Sequence, residues 1–197
     1  MLTPRTSLTQ YSFVVPEGFQ RAEILPPSTT LGSMPQMMDV NKPPEQQGPV
    51  SAAQERFVLP GKPGVQLILA VKSASQLRQT FRQLNDLSEW GDPDNVRPLL
   101  LPFDAQIERT KRVILDRGVR DTGTIRGKVV LDPRNLYRYD FITGDKRGRG
   151  AVGASARGGL VYVLSCAAPA EAWEDADVRA ALTGAADSLR VLDKPIN

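Results

Sequence analysis

Histidine, the residue used most often for general acid–base catalysis, does not occur in this chain of 197 residues. Catalysis by a Ser-His-Asp or Cys-His arrangement is therefore excluded, and so are zinc sites built from histidine. Only a mechanism based on lysine or on carboxylates remains. We expect the protein not to be an enzyme.

Four acidic residues lie close together where the last helical pattern of the sequence begins. Carboxylate oxygens are the ligands that calcium prefers, so this group is a candidate for weak calcium binding. The alternative is that carboxylates in the first turn of a helix stabilise it through the helix dipole. We expect the second role and no tightly bound cofactor. The four residues are Glu171, Glu174, Asp175 and Asp177.

The densest positive charge in the sequence is the segment Lys146-Arg147-Gly148-Arg149, in a glycine-rich connection between two strand patterns. Three cations so close together at a turn could bind an acidic protein surface or phosphate. The alternative is a solvated hairpin tip without a partner. Lys146, Arg147 and Arg149 are therefore the candidate partner-binding residues.

Other conspicuous side chains are expected to be structural. Cys166 lies in an apolar strand pattern, which predicts a buried and unreactive thiol. Tyr137 and Tyr139 could form a base-stacking platform, but the sequence around them lacks the aromatic and basic signature of an RNA-binding sheet. We expect both tyrosines to pack in the core, and Trp173 to anchor the last helix there.

Composition indicates one domain, residues 1–197, with 41% hydrophobic residues. The net charge of +3 is far below that of a dedicated nucleic-acid binder, so we expect an acidic protein partner and no nucleic acid. No segment approaches the ~20 apolar residues needed to span a bilayer. The first ten residues lack the apolar region of a signal peptide, so we expect a soluble or processed chain.

The first half of the chain contains hairpin, insert, strand and helix patterns. Residues 11–20, YSFVVPEGFQ, predict a hairpin that turns at Pro16-Glu17-Gly18. Residues 26–64 hold half of all the prolines and predict an irregular insert or binding arm, with a short edge strand at 56–59. A central strand at 65–71 follows. Two helices are predicted next, one capped by Ser73 with Leu77, Phe81 and Leu84 on its apolar face, and one capped by Asp92 with Pro93 in its first turn.

The second half is strand-like and then helical. Tyr137, Tyr139 and Phe141 alternate with charged residues, which predicts a strand with one buried face. The fold class that follows is α+β, an antiparallel sheet carrying helices. The predicted strands are RVILDRGVRD, GKVVLD and LYRYDFI in one sheet, then AVGASARGG and LVYVLSCAA, and the predicted helix covers 170–192 with an apolar stripe of Val178, Leu182, Ala185 and Leu189.

These residues, in this order, resemble the PsbP family, the extrinsic lumenal proteins of oxygen-evolving photosynthetic membranes. The resemblance covers roughly residues 11–25 and 65–192. The matching segments are YSFVVPEGF, VQLILAVKS, LNDLSEWGDPDNV, LYRYDFIT, GGLVYVLSCAAP, and Trp173 with the closing ADSLRVL.

The resemblance implies an α/β/α sandwich with a central antiparallel β-sheet flanked by helices, and no catalytic activity. It also implies a place in the thylakoid lumen of the chloroplast, peripheral on the membrane. We expect an extrinsic subunit or assembly factor that docks electrostatically on photosystem II and supports its oxygen-evolving centre. The alternatives are an accessory subunit or assembly factor of photosystem I or of the thylakoid NADH dehydrogenase-like complex, or a calcium- or small-ligand-binding module.

Two features depart from the family pattern. The proline-rich segment at 26–64 is longer than the corresponding segment in the family. The metal-ligand histidines proposed for some members have no counterpart here, because the chain contains no histidine.

Overall fold

The computed structural model describes residues 11–24, 53–78, 83–102, 104–121, 127–130 and 133–192. The helices are α1 (Ala74–Leu77), α2 (Pro93–Leu100), α3 (Ala170–Trp173) and α4 (Ala176–Asp187), and a 3-10 helix covers Leu87–Trp90. The strands are β1 (Tyr11–Ser12), β2 (Gln20–Arg21), β3 (Ala53–Val58), β4 (Gln66–Ser73), β5 (Gln106–Leu115), β6 (Val119–Asp121), β7 (Lys128–Val130), β8 (Arg134–Ile142), β9 (Gly148–Arg157), β10 (Leu160–Pro169) and β11 (Arg190–Val191).

Seven of these strands form one antiparallel sheet in the order β2-β3-β4-β10-β9-β8-β5. Strand β10 lies in the middle, as its almost wholly apolar sequence LVYVLSCAAP favours. It pairs along its whole length with β9, and β4 pairs with it on the other side. Successive side chains of β10 point to opposite faces, so Tyr162 and Leu164 enter one core while Val161 and Val163 enter another.

Two apolar cores cover the two faces of the sheet. The first core lies under α3 and α4, and the second lies under α2 and the 3-10 helix. The α/β/α sandwich is therefore confirmed. The apolar stripe of the last helix is buried as predicted: Val178, Leu182, Ala185 and Leu189 are at most 5% exposed.

Helix α4 packs directly on the backbone of β9. A Cβ atom at Gly153 would lie 2.2 Å from the carbonyl oxygen of Ala186, closer than any real contact. Strand β9 has the sequence GRGAVGASAR, and its small residues leave room for this approach. Ala185 and Ala186 are buried on the helix side. The contact fixes the distance between α4 and the sheet.

The predicted first hairpin is wrong, although its turn is present. Phe19 N–H donates a hydrogen bond to the carbonyl oxygen of Pro16 at 3.3 Å. The two flanking strands nevertheless pair elsewhere, β1 with β11 and β2 with β3. Local turn chemistry is visible in the sequence, whereas the partner of a two-residue strand is decided by tertiary packing. Phe13 is buried in the first core, and Tyr11 and Val15 pack against it.

Both long helices predicted from the sequence are shorter in the structure. At α1 the predicted cap forms, since Ser73 N–H donates to Gln76 Oε1 at 3.2 Å, but the helix ends where Arg78 becomes extended. Phe81 lies outside the described residues. The helix predicted over 170–192 is broken between α3 and α4, where Asp175 caps a new helix. Helix α2 begins at Pro93, as predicted.

The sheet also differs from the prediction in three places. The segment GKVVLD contributes β7, which pairs with β6 in a separate two-stranded sheet. Strand β8 is buried on both faces and not on one, because Arg138, 5% exposed, is paired with acidic residues on the side of α4. Of the predicted irregular insert, residues 26–52 lie outside the described residues. Residues 56–58 of the predicted edge strand belong to β3, which lies between β2 and β4 and is therefore not at the edge of the sheet.

Asp86 joins the 3-10 helix to β8. Its carboxylate accepts hydrogen bonds from the backbone N–H and side-chain amide of Asn135, at 2.8 and 2.7 Å, and from the N–H and hydroxyl of Ser88, at 2.9 and 2.7 Å. Burial alone would raise the pKa of Asp86. The hydrogen bonds from Asn135 and Ser88 outweigh it and hold the pKa below its usual value.

Asp86→Asn should destabilise the protein at neutral pH by about 2 kcal/mol, because hydrogen bonds to a charged acceptor are lost. A carboxylate whose pKa is lowered by folding contributes its full stability above the unfolded pKa of about 4 and loses it as pH falls through the folded pKa. The difference between the variant and wild type in urea unfolding should therefore shrink below about pH 4. Glu23→Gln, at an exposed acid outside any helix, is the control. A difference that persists unchanged at pH 3 would contradict the assignment.

Candidate docking site

The predicted basic segment forms the tight connection between β8 and β9. Thr143 N–H donates to the carbonyl oxygen of Gly148 at 2.9 Å, and Arg147 N–H donates to Asp145 Oδ1 at 3.0 Å. Hydrogen bonds from the Thr143 hydroxyl and the Arg147 N–H lower the pKa of Asp145. Lys146 has a φ of 59°, which is uncommon for a residue with a side chain. The turn is thus a defined structure that presents its cations outward.

The three predicted cations divide into two kinds. Lys146 and Arg147 are exposed, and neither side chain makes an ion pair or hydrogen bond within the described residues. Arg149 is only a third exposed and lies 3.5 Å from Glu108 Oε1. Lys146 and Arg147 can therefore form ion pairs with a partner directly, whereas Arg149 already has an acidic neighbour.

The predicted acidic group lies where α3 meets α4. Asp175 accepts hydrogen bonds from the backbone N–H groups of Asp177 and Val178 at 3.0 and 3.4 Å, so it is the N-cap of α4. Its other oxygen lies 2.5 Å from Lys62 Nζ. The hydrogen bond from Lys62, followed by those from the two N–H groups, lowers the pKa of Asp175. Both carboxylate oxygens of Asp175 thus already accept hydrogen bonds from groups of this protein.

Glu171 is in the first turn of α3 and Asp177 in the first turn of α4, the positions that favour a carboxylate at a helix dipole. Glu174 is exposed between the two helices. In the ranges that the structure describes, no three acidic or cysteine side chains are grouped so as to hold a metal ion. Weak calcium binding here stays a prediction.

The fold brings the basic and acidic groups to the same end of the sheet. Gly148 in β9 pairs with Pro169 at the end of β10, and Ala170 N–H donates to the carbonyl oxygen of Arg147 at 2.8 Å. Strand β5 begins at this end too, because Gln106 pairs with Ile142. A set of charges that is scattered over the sequence therefore shares one surface.

An open groove of about 580 Å³ lies at this end, between the start of β5 and helix α4. Its lining is mostly charged, with three arginines and two acidic residues, and sequence analysis identified only Arg149 among them. The lining residues are Glu108, Arg109, Asp140, Arg149, Trp173, Ala176, Arg179, Ala180 and Thr183. We call this feature the arginine groove.

The remaining structural predictions are confirmed. Burial of Cys166 raises the pKa of its thiol to about 12, so the thiol is inert. Tyr137 and Tyr139 are fully buried, and their hydroxyls donate to the carbonyl oxygens of Gly91 and Pro93 at 2.6 and 2.7 Å. Neither ring can stack on a base. Trp173 is 4% exposed and packs in the first core as predicted, but it belongs to the short helix α3 and not to the last helix, α4.

The class of structure is thus a seven-stranded antiparallel sheet between helices, with a charged groove at one end. No protein-family model and no curated protein matches the sequence. The structure is similar to the solution structure of cyanobacterial PsbP (CyanoP) from Synechocystis sp. PCC 6803, with a TM-score of 0.52 and 11% sequence identity over 96% of this chain and 91% of that chain. The resemblance to PsbP seen in the sequence is confirmed at the level of the fold.

Within the described ranges, none of the helices is long and apolar enough to cross a bilayer.

Proposed function

We propose that this protein is a non-enzymatic extrinsic protein of the thylakoid lumen that docks on a photosynthetic membrane complex, with photosystem II as the partner complex. The observation that carries the proposal is the PsbP-like fold, which extends over 96% of the chain. The absence of histidine from the sequence supports a role without catalysis. The protein would stabilise neighbouring subunits or assist their assembly around the oxygen-evolving centre.

Docking through charge is supported by the turn between β8 and β9. Lys146 and Arg147 are exposed there, and neither side chain forms a salt bridge with an acidic residue in the described part of the chain. Such cations attract an acidic surface without first breaking an internal ion pair, and they raise the rate of association. Exposed ion pairs are screened by salt, so the complex should be salt-sensitive.

Washing thylakoid membranes with rising concentrations of sodium chloride should release the protein together with other extrinsic proteins. Affinity purification before the wash should recover photosystem II subunits. Recovery of photosystem I or of the NADH dehydrogenase-like complex instead would show that the partner is that complex and not photosystem II. Retention on the membrane at high salt, or absence from the lumen, would refute peripheral electrostatic docking.

Rebinding of purified protein to salt-washed membranes tests the turn itself. The double variant Lys146→Gln/Arg147→Gln should bind about tenfold more weakly, because two exposed ion pairs with the partner are lost. Arg97→Gln is the matched control, since Arg97 is an exposed arginine in α2 on the opposite face of the sheet. Because the control removes one charge and the double variant removes two, a loss in the control of half that size on a logarithmic scale would show that only net charge matters.

A further inference from the structure

We propose that the arginine groove binds an extended acidic segment of the partner protein. The inference deepens the proposed function, on which it rests for the existence of a protein partner, by assigning the docking surface and the chemistry that it recognises. It depends on three features of the groove: the bulge that aims Arg109 into it, the two arginines that make no ion pair or hydrogen bond within the described residues, and the edge strand beside them.

A β-bulge in β5 aims two consecutive side chains into the groove. Ile107 pairs with Phe141, whereas Arg109 pairs with Asp140, so Glu108 is the extra residue. In a regular strand, neighbouring side chains point to opposite faces. The bulge interrupts this alternation, and both Glu108 and Arg109 line the groove. Bulges often re-aim a side chain beside a functional site.

The bulge also changes which core the rest of β5 contacts. Before it, Ile107 packs against the second core; after it, Val113 and Leu115 pack against the first core, on the side of α4. The odd-numbered residues of β5 therefore face the second core before the bulge and the first core after it. Without the extra residue, Arg109 would keep the face of Ile107 and point away from α4.

Two of the three groove arginines have no side-chain partner among the residues that the structure describes. The side chains of Arg109 and Arg179 make no ion pair or hydrogen bond with any residue in the described ranges. The two acidic residues of the groove, in contrast, have cationic neighbours: Asp140 Oδ1 lies 2.6 Å from Arg138 Nη1, and Glu108 lies 3.5 Å from Arg149. The groove thus has an excess of positive charge, and planar guanidinium groups bind carboxylates in a bidentate manner.

The position of the groove favours an extended segment as its occupant. Strand β5 is an edge of the seven-stranded sheet, so its outer backbone groups have no strand partner within the described residues. Polypeptide segments bind such edges as an added strand, with side chains alternating between pockets. The groove is open to solvent, and its lining also includes the apolar groups of Trp173, Ala176 and Ala180. Alternating carboxylates would then meet Arg109 and Arg179.

The test uses purified protein and a fluorescent peptide of alternating glutamate and serine, with binding followed by anisotropy at low salt. The double variant Arg109→Gln/Arg179→Gln should bind the peptide about tenfold more weakly than wild type. Arg97→Gln should bind like wild type. The double reversal Arg109→Glu/Arg179→Glu should lose the acidic peptide and gain binding to a peptide of alternating lysine and serine.

Several results would overturn the inference: no binding of the acidic peptide, equal weakening in Arg97→Gln, or unchanged binding in the double variant. Displacement of the peptide by inorganic phosphate at equal charge concentration would assign the groove to small anions instead. Thermal melting of every variant checks that it is folded, and the free arginines should be replaceable without loss of stability. Because no thylakoid component is present, a negative result here leaves the salt-wash experiment as a separate test of the proposed function.

Discussion

Gly153→Ala is expected to lower the free energy of unfolding by about 3 kcal/mol, a large effect for one methyl group. The added Cβ would lie 2.2 Å from the carbonyl oxygen of Ala186 and 3.1 Å from its carbon. These are backbone atoms of α4, so no flexible side chain can move aside. The helix must shift away from β9 and weaken its packing on the first core. Urea unfolding of the two proteins measures the difference.

Gly184→Ala is the matched control for this prediction. Gly184 is exposed in the same helix, and a Cβ there would meet nothing within 4 Å. Alanine is a better helix former than glycine by about 0.5–1 kcal/mol, so this variant should be more stable than wild type. If both variants changed stability in the same direction, the close approach of α4 to Gly153 would not be the cause.

The groove depends on the same helix contact. Ala176, Arg179, Ala180 and Thr183 of α4 form one wall, and β5 and β9 supply the other. A shift of α4 in Gly153→Ala would change the distances from Arg179 to Arg109 in β5 and to Arg149 in β9. The close contact of Ala186 with Gly153 therefore helps to set the distance between Arg179 on α4 and Arg109 on β5.

The middle of the sheet could be predicted because its local patterns agree with its tertiary environment. LVYVLSCAAP is apolar on both faces and lies between two layers, so pattern and burial coincide. The helix start at Pro93 is equally local, since proline in the first turn defines it. The Asp92 side chain occupies the N-cap position as predicted but makes no capping hydrogen bond. Predictions of strand pairing failed for short strands whose partners are distant in the sequence. Strand β1 pairs with β11, at the other end of the described chain, and its sequence contains nothing that selects that partner.

The site could be predicted only where its charges are adjacent in sequence. Lys146 and Arg147 are neighbours in a glycine-rich turn, and both are exposed as expected. Arg109 and Arg179 are 70 positions apart and meet only because β5 and α4 flank the same end of the sheet. The bulge that aims Arg109 leaves no recognisable trace in QIERTKRVIL, in which Glu108 resembles any other exposed strand residue. A bulge becomes visible only through the pairing register.

Arg138 is the buried cation beneath the groove. It is 5% exposed, and its guanidinium lies 2.6 Å from Asp140 Oδ1 and 3.0 Å from Asp187 Oδ1. It also donates to the carbonyl oxygen of Tyr139 at 2.6 Å. Because Asp187 is the last residue of α4 and Asp140 is in β8, this network holds the end of the helix against the sheet.

Arg138→Met, which keeps an unbranched apolar stem but removes the charged guanidinium, should lower the free energy of unfolding by about 3 kcal/mol, because the Asp140 carboxylate would remain largely buried without its cation. Asp187→Asn should cost less than about 1 kcal/mol, since the Asp187 side chain is 52% exposed and solvent replaces the lost pair.

The double variant Arg138→Met/Asp140→Asn separates a packing effect from an electrostatic one. Removing the second charge relieves the unpaired carboxylate, so the double variant should regain more than half of the stability lost in Arg138→Met. If it is no more stable than the single variant, the guanidinium acts through its packing alone. In that case Asp140 is an uncompensated acid in the groove, and it reduces the excess of positive charge that Arg109 and Arg179 supply there.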